Sequence, residues 1–169
     1  MLEAVKPKTS AAAATGAFDV EILSVATANP SFQLSQTEAT RRAKEIFPHL
    51  RALWSLYDNT GIELRYNCQP VEWYLKPHSW EERTAIFQKH ALDLLADVTL
   101  KATASAGVEL DAIDILVTNT ITGLAIPSLD AKLFNRLKLK PTVERLPIFG
   151  LGCGGGEQSA REFCDSRTI

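Results

Sequence analysis

The chain lacks an excess of basic residues, a metal-like grouping of side chains, and any long apolar run. Lysine and arginine number 18 against 20 aspartate and glutamate, a formal net charge of −2. Without a net positive field to draw in a phosphate backbone, no nucleic-acid partner is expected. No apolar stretch approaches the ~20 residues that span a hydrocarbon core, so no membrane partner is expected either. Cysteine is scarce and odd in number: Cys68, Cys153 and Cys164. That count and spacing speak against a disulfide framework and against a zinc site. The three histidines, His49, His78 and His90, are equally scattered, so no metal and no resident cofactor is expected. Residues 1–18 contain Lys6, Lys8 and a four-alanine run but no apolar signal core. They are read as a flexible tail, and the cytoplasm is the expected location.

What is present fits one globular unit. Of the 169 residues, 46% are hydrophobic and 22% charged, which suits a chain able to bury a core. Asp19 to Ala28, with Val20, Ile22, Leu23 and Val25, predicts a strand that Asn29-Pro30 ends. Ser35-Gln36-Thr37-Glu38 is a capping-box pattern and predicts a helix burying Ala39, Ala43, Ile46 and Phe47. Leu50 to Asp58 predicts a short second helix. Gly61 then gives a turn into a strand over Ile62–Cys68. Ser79-Trp80-Glu81-Glu82 opens a helix expected to run to about Ala106, with Gly107 as its stop. Phe87, Ala91, Leu94, Leu95, Val98 and Ala102 share one face of it. Ile113–Thr118 predicts a buried strand, Gly123–Pro127 a loop, Ser128–Leu137 a helix, and Val143–Phe149 a last strand. Pro147 is expected to mark a bulge or strand end there. Strands alternating with helices imply an α/β layer architecture.

The candidate site is Gly150-Leu151-Gly152-Cys153-Gly154-Gly155-Gly156. A cysteine attacks as its thiolate, and backbone N–H groups at a helix start stabilise that anion. Flanking glycines permit unusual φ and let a bulky thioester approach the backbone. A buried structural cysteine in a glycine-rich turn fits the same spacing. A phosphate-cradling loop fits less well, because no Lys-Ser/Thr follows and the dinucleotide fingerprint is absent.

Five segments occur in one order: 26–30 (Ala-Thr-Ala-Asn-Pro), 59–66 (Asn-Thr-Gly-Ile-Glu-Leu-Arg-Tyr), 80–83 (Trp-Glu-Glu-Arg), 122–128 (Thr-Gly-Leu-Ala-Ile-Pro-Ser) and 145–153 (Arg-Leu-Pro-Ile-Phe-Gly-Leu-Gly-Cys). In that order they resemble the N-terminal part of bacterial type III polyketide synthases, the chalcone synthase-like enzymes, over roughly Asp19 to Gly156. The resemblance implies the N-terminal half of a thiolase-like (αβαβα) fold, and a homodimer. It implies acyl transfer from coenzyme A to Cys153, then decarboxylative condensation with malonyl-CoA, both thioesters being substrates and not cofactors. It places Thr122 and Gly123 at the substrate pocket and Ile126 at the dimer interface, reaching into the partner's site. Another thiolase-fold condensing enzyme, ketoacyl synthase III-like, is the alternative within enzymes. A non-catalytic truncated fragment is the alternative outside them.

Two departures accompany the resemblance. Where plant members carry basic residues for the CoA phosphates, this chain has Ala52, Ser55 and Asn59, with Arg51 nearby but out of register. The family's catalytic histidine and asparagine lie in the second half of the fold, and no histidine follows Cys153 here. Residues 157–169 are polar where a helix of small residues and leucines is expected. Read in a shifted frame, codons compatible with that stretch restore such a helix, including a leucine across Phe163-Cys164. The sequence therefore predicts a domain over 19–156, an aberrant 157–169 produced by a frameshift near Gly156, and a chain inactive by itself.

Overall fold

In a computed structural model of the chain, residues 21–156 and residue 159 are described. The expected tail over 1–18 lies outside them, as does nearly all of 157–169. The described elements run β1 (Phe32–Ser35), α1 (Gln36–Ile46), α2 (Trp54–Asp58), β2 (Leu64–Asn67), α3 (Val71–Tyr74), α4 (Trp80–Ala106), β3 (Ile115–Thr120), α5 (Leu129–Leu137) and β4 (Glu144–Phe149).

Two strand pairs organise the chain. β1 and β2 are antiparallel, with Phe32 opposite Asn67 and Ser35 opposite Leu64. β3 and β4 are parallel, from Ile115 opposite Glu144 to Thr120 opposite Phe149. A parallel pair needs a crossover, and α5 supplies it, packing on β3, β4 and α4. Leu129, Leu133, Leu139 and Val143 are buried around this crossover, and Leu133 is 1% exposed. Burying such an aliphatic side chain contributes about 1.5–3 kcal/mol. Asp130, also 1% exposed, accepts a hydrogen bond from Arg145 of β4 at 2.9 Å. That pair clamps the start of α5 to the sheet, where the helix dipole also favours the carboxylate.

The helix boundaries follow the local chemistry. Ser35 and Ser79 both cap, each hydroxyl accepting from the backbone N–H three residues on, Glu38 at 3.2 Å and Glu82 at 3.1 Å. The reciprocal half of each capping box is absent, because both glutamates are engaged elsewhere. Glu38 binds Arg41 and Arg42, which hold its carboxyl down at about 2. Glu82 binds His78. Gly107 ends α4 at φ 67°.

Three expectations need correction. Residues 21–30 form no strand, although Ser24 Oγ donates to the Ala102 carbonyl at 2.8 Å. A strand is defined by its partner, and none lies beside this segment among the described residues, so Ile22, Leu23 and Val25 remain exposed. Ile46 and Phe47 are exposed too; they fall at the end of α1, past its buried residues Ala39 and Thr40. The apolar stripe of α4 is only half-buried. The buried residue of α4 is Ala96, three positions beyond Asp93, which pairs with Arg136 of α5 at 2.6 Å. Pro147 makes neither a bulge nor an end but sits inside β4 opposite Thr118. Glu144 donates to the Asp114 carbonyl just before β3 at 2.8 Å, and Gly150 to the Thr120 carbonyl at its end at 3.1 Å. Alternation then points the nitrogen of residue 147 away from β3, so proline costs the ladder no bond.

Candidate functional site

Both candidate loops leave the same edge of the parallel pair. Thr120 and Phe149 are the last residues in register. Thr122 and Gly123 follow one strand end and Cys153 follows the other. In open α/β sheets the carboxyl ends of parallel strands are where ligands are held, so the topology alone gathers the two loops.

Beyond β4 the chain turns through Gly150 at φ 87° and Gly152 at φ 53°, conformations that side chains with a Cβ resist. Cys153 lies in the 3-10 turn Gly152–Gly154, closed by the Gly154 N–H donating to the Leu151 carbonyl at 3.1 Å. Residues 155, 156 and 159 are helical, and Ser159 Oγ donates to the Gly155 carbonyl at 2.7 Å. The thiol is free and exposed at the opening of a helical turn. Gly155 is buried, and a Cβ there would collide with the Asn119 side chain of β3. Asn119 was not singled out by sequence reasoning; the alternation of β3 was the only signal that could place it.

The 122–128 loop holds Thr122 by a turn in which Thr120 Oγ1 accepts from the Thr122 N–H and donates to its carbonyl, both at 3.1 Å. Gly123 has φ 67° and faces the Phe87 ring of α4 without room for a side chain. Ile126, before a cis bond to Pro127, is 99% exposed.

Thr122 also borders a largely apolar cavity of about 420 Å³ between β2, α3 and α4. Phe87, Ala91 and Leu94 line it, which accounts for the half-buried stripe of α4. Cys68, Tyr74 and His90 add polar atoms to its wall. Cys68 Sγ lies 3.4 Å from the Tyr74 hydroxyl. Burial, and then that thiol, push the phenol up to about 12. Cys153 is not among the lining residues.

The remaining candidates are spread out. Ala52, Ser55 and Asn59 are exposed, and Arg51 lies over the Trp54 ring at 5.7 Å. His49 meets Phe47 edge-on at 6.3 Å, and His90 lies 3.4 Å from Gln69. No group of three acidic, histidine or cysteine side chains is placed to hold a metal among the described residues. Among the same residues, no helix is long and apolar enough to cross a membrane.

Comparison with known proteins places the chain in a family. Residues 61–166 match the model of the chalcone and stilbene synthase N-terminal domain, a span that crosses Gly156. A chalcone synthase-like protein of Bacillus subtilis is 30% identical over 155 residues, covering 85% of this chain and 42% of the relative. The 1,3,6,8-tetrahydroxynaphthalene synthase of Streptomyces peucetius is 32% identical over 139 residues, covering 80% of this chain and 37% of that enzyme. The crystal structure of the Streptomyces coelicolor 1,3,6,8-tetrahydroxynaphthalene synthase, a bacterial type III polyketide synthase, superposes with a TM-score of 0.75 at 27% identity. It covers 83% of this chain and 42% of that one. The chain thus spans about two fifths of the length of the curated relatives it matches. The chain therefore has a thiolase-like fold and belongs to the chalcone and stilbene synthase family, as a type III polyketide synthase-like N-terminal region.

Proposed function

We propose that this chain is the acyl-loading part of a type III polyketide synthase, with Cys153 as the nucleophile. The Cys153 thiolate attacks the carbonyl carbon of an acyl-CoA thioester. The tetrahedral intermediate collapses, the C–S bond to coenzyme A breaks, and the acyl group remains on the protein as a new thioester. The supporting observation is the exposed thiol at the carboxyl end of β4, on the same sheet edge as the Thr122 loop. Thr122 and Gly123 border the space beside that edge, and Ile126 meets a second copy of the chain in a homodimer.

Extension by malonyl-CoA loses CO₂ and leaves an enolate that attacks the acyl thioester, returning the thiolate. Stabilising that enolate and the thioester oxyanion is the largest demand of the chemistry. Among the described residues His49 contacts Phe47, His78 contacts Glu82 and Trp73, and His90 contacts Gln69.

Incubation with a radiolabelled acyl-CoA, followed by denaturation and peptide mapping, tests the loading step. Label retained on the Cys153 peptide, and absent from Cys153→Ala, is the expected result. An unlabelled wild-type chain supports a non-catalytic fragment instead, and label surviving in Cys153→Ala removes Cys153 from its role.

A further inference from the structure

One wall of the cavity is tied to the other through a single imidazole. His78 lies between α3 and α4, its ring stacked on the Trp73 indole with centroids 3.8 Å apart and planes 9° from parallel. Nδ1 faces the Glu82 carboxylate at 2.9 Å, and Nε2 faces the Trp73 carbonyl oxygen at 2.8 Å. Both partners are acceptors. A neutral imidazole has one N–H and satisfies one of them, whereas the imidazolium satisfies both. The side chain is 13% exposed, so water has little room to replace a lost partner. A cation is also the better partner for the indole face.

We propose that His78 is a proton-operated latch on the cavity: as the imidazolium it ties the Trp73 wall to the first turn of α4, and on losing its proton it lets α3 loosen. Trp73 and its neighbour Tyr74 both line the cavity, so the latch stands directly behind two of its aromatic residues. The charged groups that face His78 are Glu82 from α4 and Lys76 from the α3–α4 connection. The Glu82 hydrogen bond, aided by the Trp73 carbonyl, raises the His78 pKa against the opposing effects of burial and Lys76. A pKa raised in the folded state fixes the sign. The tie is complete below the unfolded value of about 6.5 and is lost as pH rises through the folded value. The latch is closed in acid and open in base.

The test uses the full chain with ¹⁵N-labelled histidine. The ring nitrogens of His78, assigned with His78→Asn, are expected to titrate with a midpoint above that of a free imidazole, and Glu82→Gln to lower it. Amide exchange over residues 71–76, corrected for intrinsic rates, is then compared at pH 6 and pH 8. Wild type is expected to lose protection about twofold to fivefold, the factor carried by an ion pair of this class, while Glu82→Gln shows no such change. Because Glu82 is half-exposed, that variant keeps its fold. A His78 midpoint at or below about 6.5, or the same pH dependence in wild type and Glu82→Gln, overturns the latch.

Discussion

Gly155 adopts φ −63° and ψ −33°, an ordinary helical conformation in which alanine is the better residue. The Asn119 side chain forbids a Cβ there. Gly155→Ala therefore makes either Asn119 or the Cys153 turn move. Cys153 labelling by acyl-CoA is expected to slow by about tenfold or more, since small misplacements of a nucleophile are costly. Asn119→Ala in the same chain removes the collision and returns the rate to within about twofold of Asn119→Ala alone, a coupling of the kind neighbouring residues show. Equal rates for Gly155→Ala and wild type would show that Asn119 swings aside freely. At this scale the glycine-rich turn was legible, because its glycines stand together in sequence. Asn119 was not, because its contact joins residues 36 positions apart and nothing local marks it. Cys68, Tyr74 and His90 escaped for the same reason, the cavity wall being assembled from β2, α3 and α4.

Elements announced by their own caps were readable, and those that need a distant partner were not. Ser35 and Ser79 start their helices where the pattern puts them, since the capping bond closes within four residues. The segment 21–30 has the apolar content of a strand, yet it lacks a neighbour to complete a ladder among the described residues. Pro147 is the converse: a residue that reads as a break is harmless because of the strand's phase. That phase is testable by urea unfolding. Ile148→Pro removes a donor that points toward β3 and is expected to cost about 1–3 kcal/mol more than Ile148→Ala. Pro147→Val, on the outward phase, is expected to change stability by less than about 1 kcal/mol. Equal costs at 147 and 148 would place the ladder in the other phase.

For the molecule as a whole, the family was legible because five short segments keep their order, a property of the line of sequence and not of its packing. The distribution of exposed surface bears most on assembly. Ile121, Leu124, Ile126, Phe149 and Leu151 are all exposed, and all lie at or just beyond the carboxyl ends of β3 and β4. Apolar side chains exposed together at one strand end are of the kind that marks an interaction site. In the proposed two-fold homodimer each copy would meet the same patch on the other, and Ile126 would be presented twice. Fully burying one isoleucine contributes about 1.5–3 kcal/mol, so two copies contribute at least about 3 kcal/mol. Losing that much weakens a dimer about a hundredfold or more. Light scattering on the full chain is expected to give a dimer mass at micromolar concentration and a monomer mass for Ile126→Glu. The charged variant also loses the second copy that would close the space beside Thr122. An unchanged mass for Ile126→Glu would move the interface off this loop and leave the Cys153 edge open to another partner.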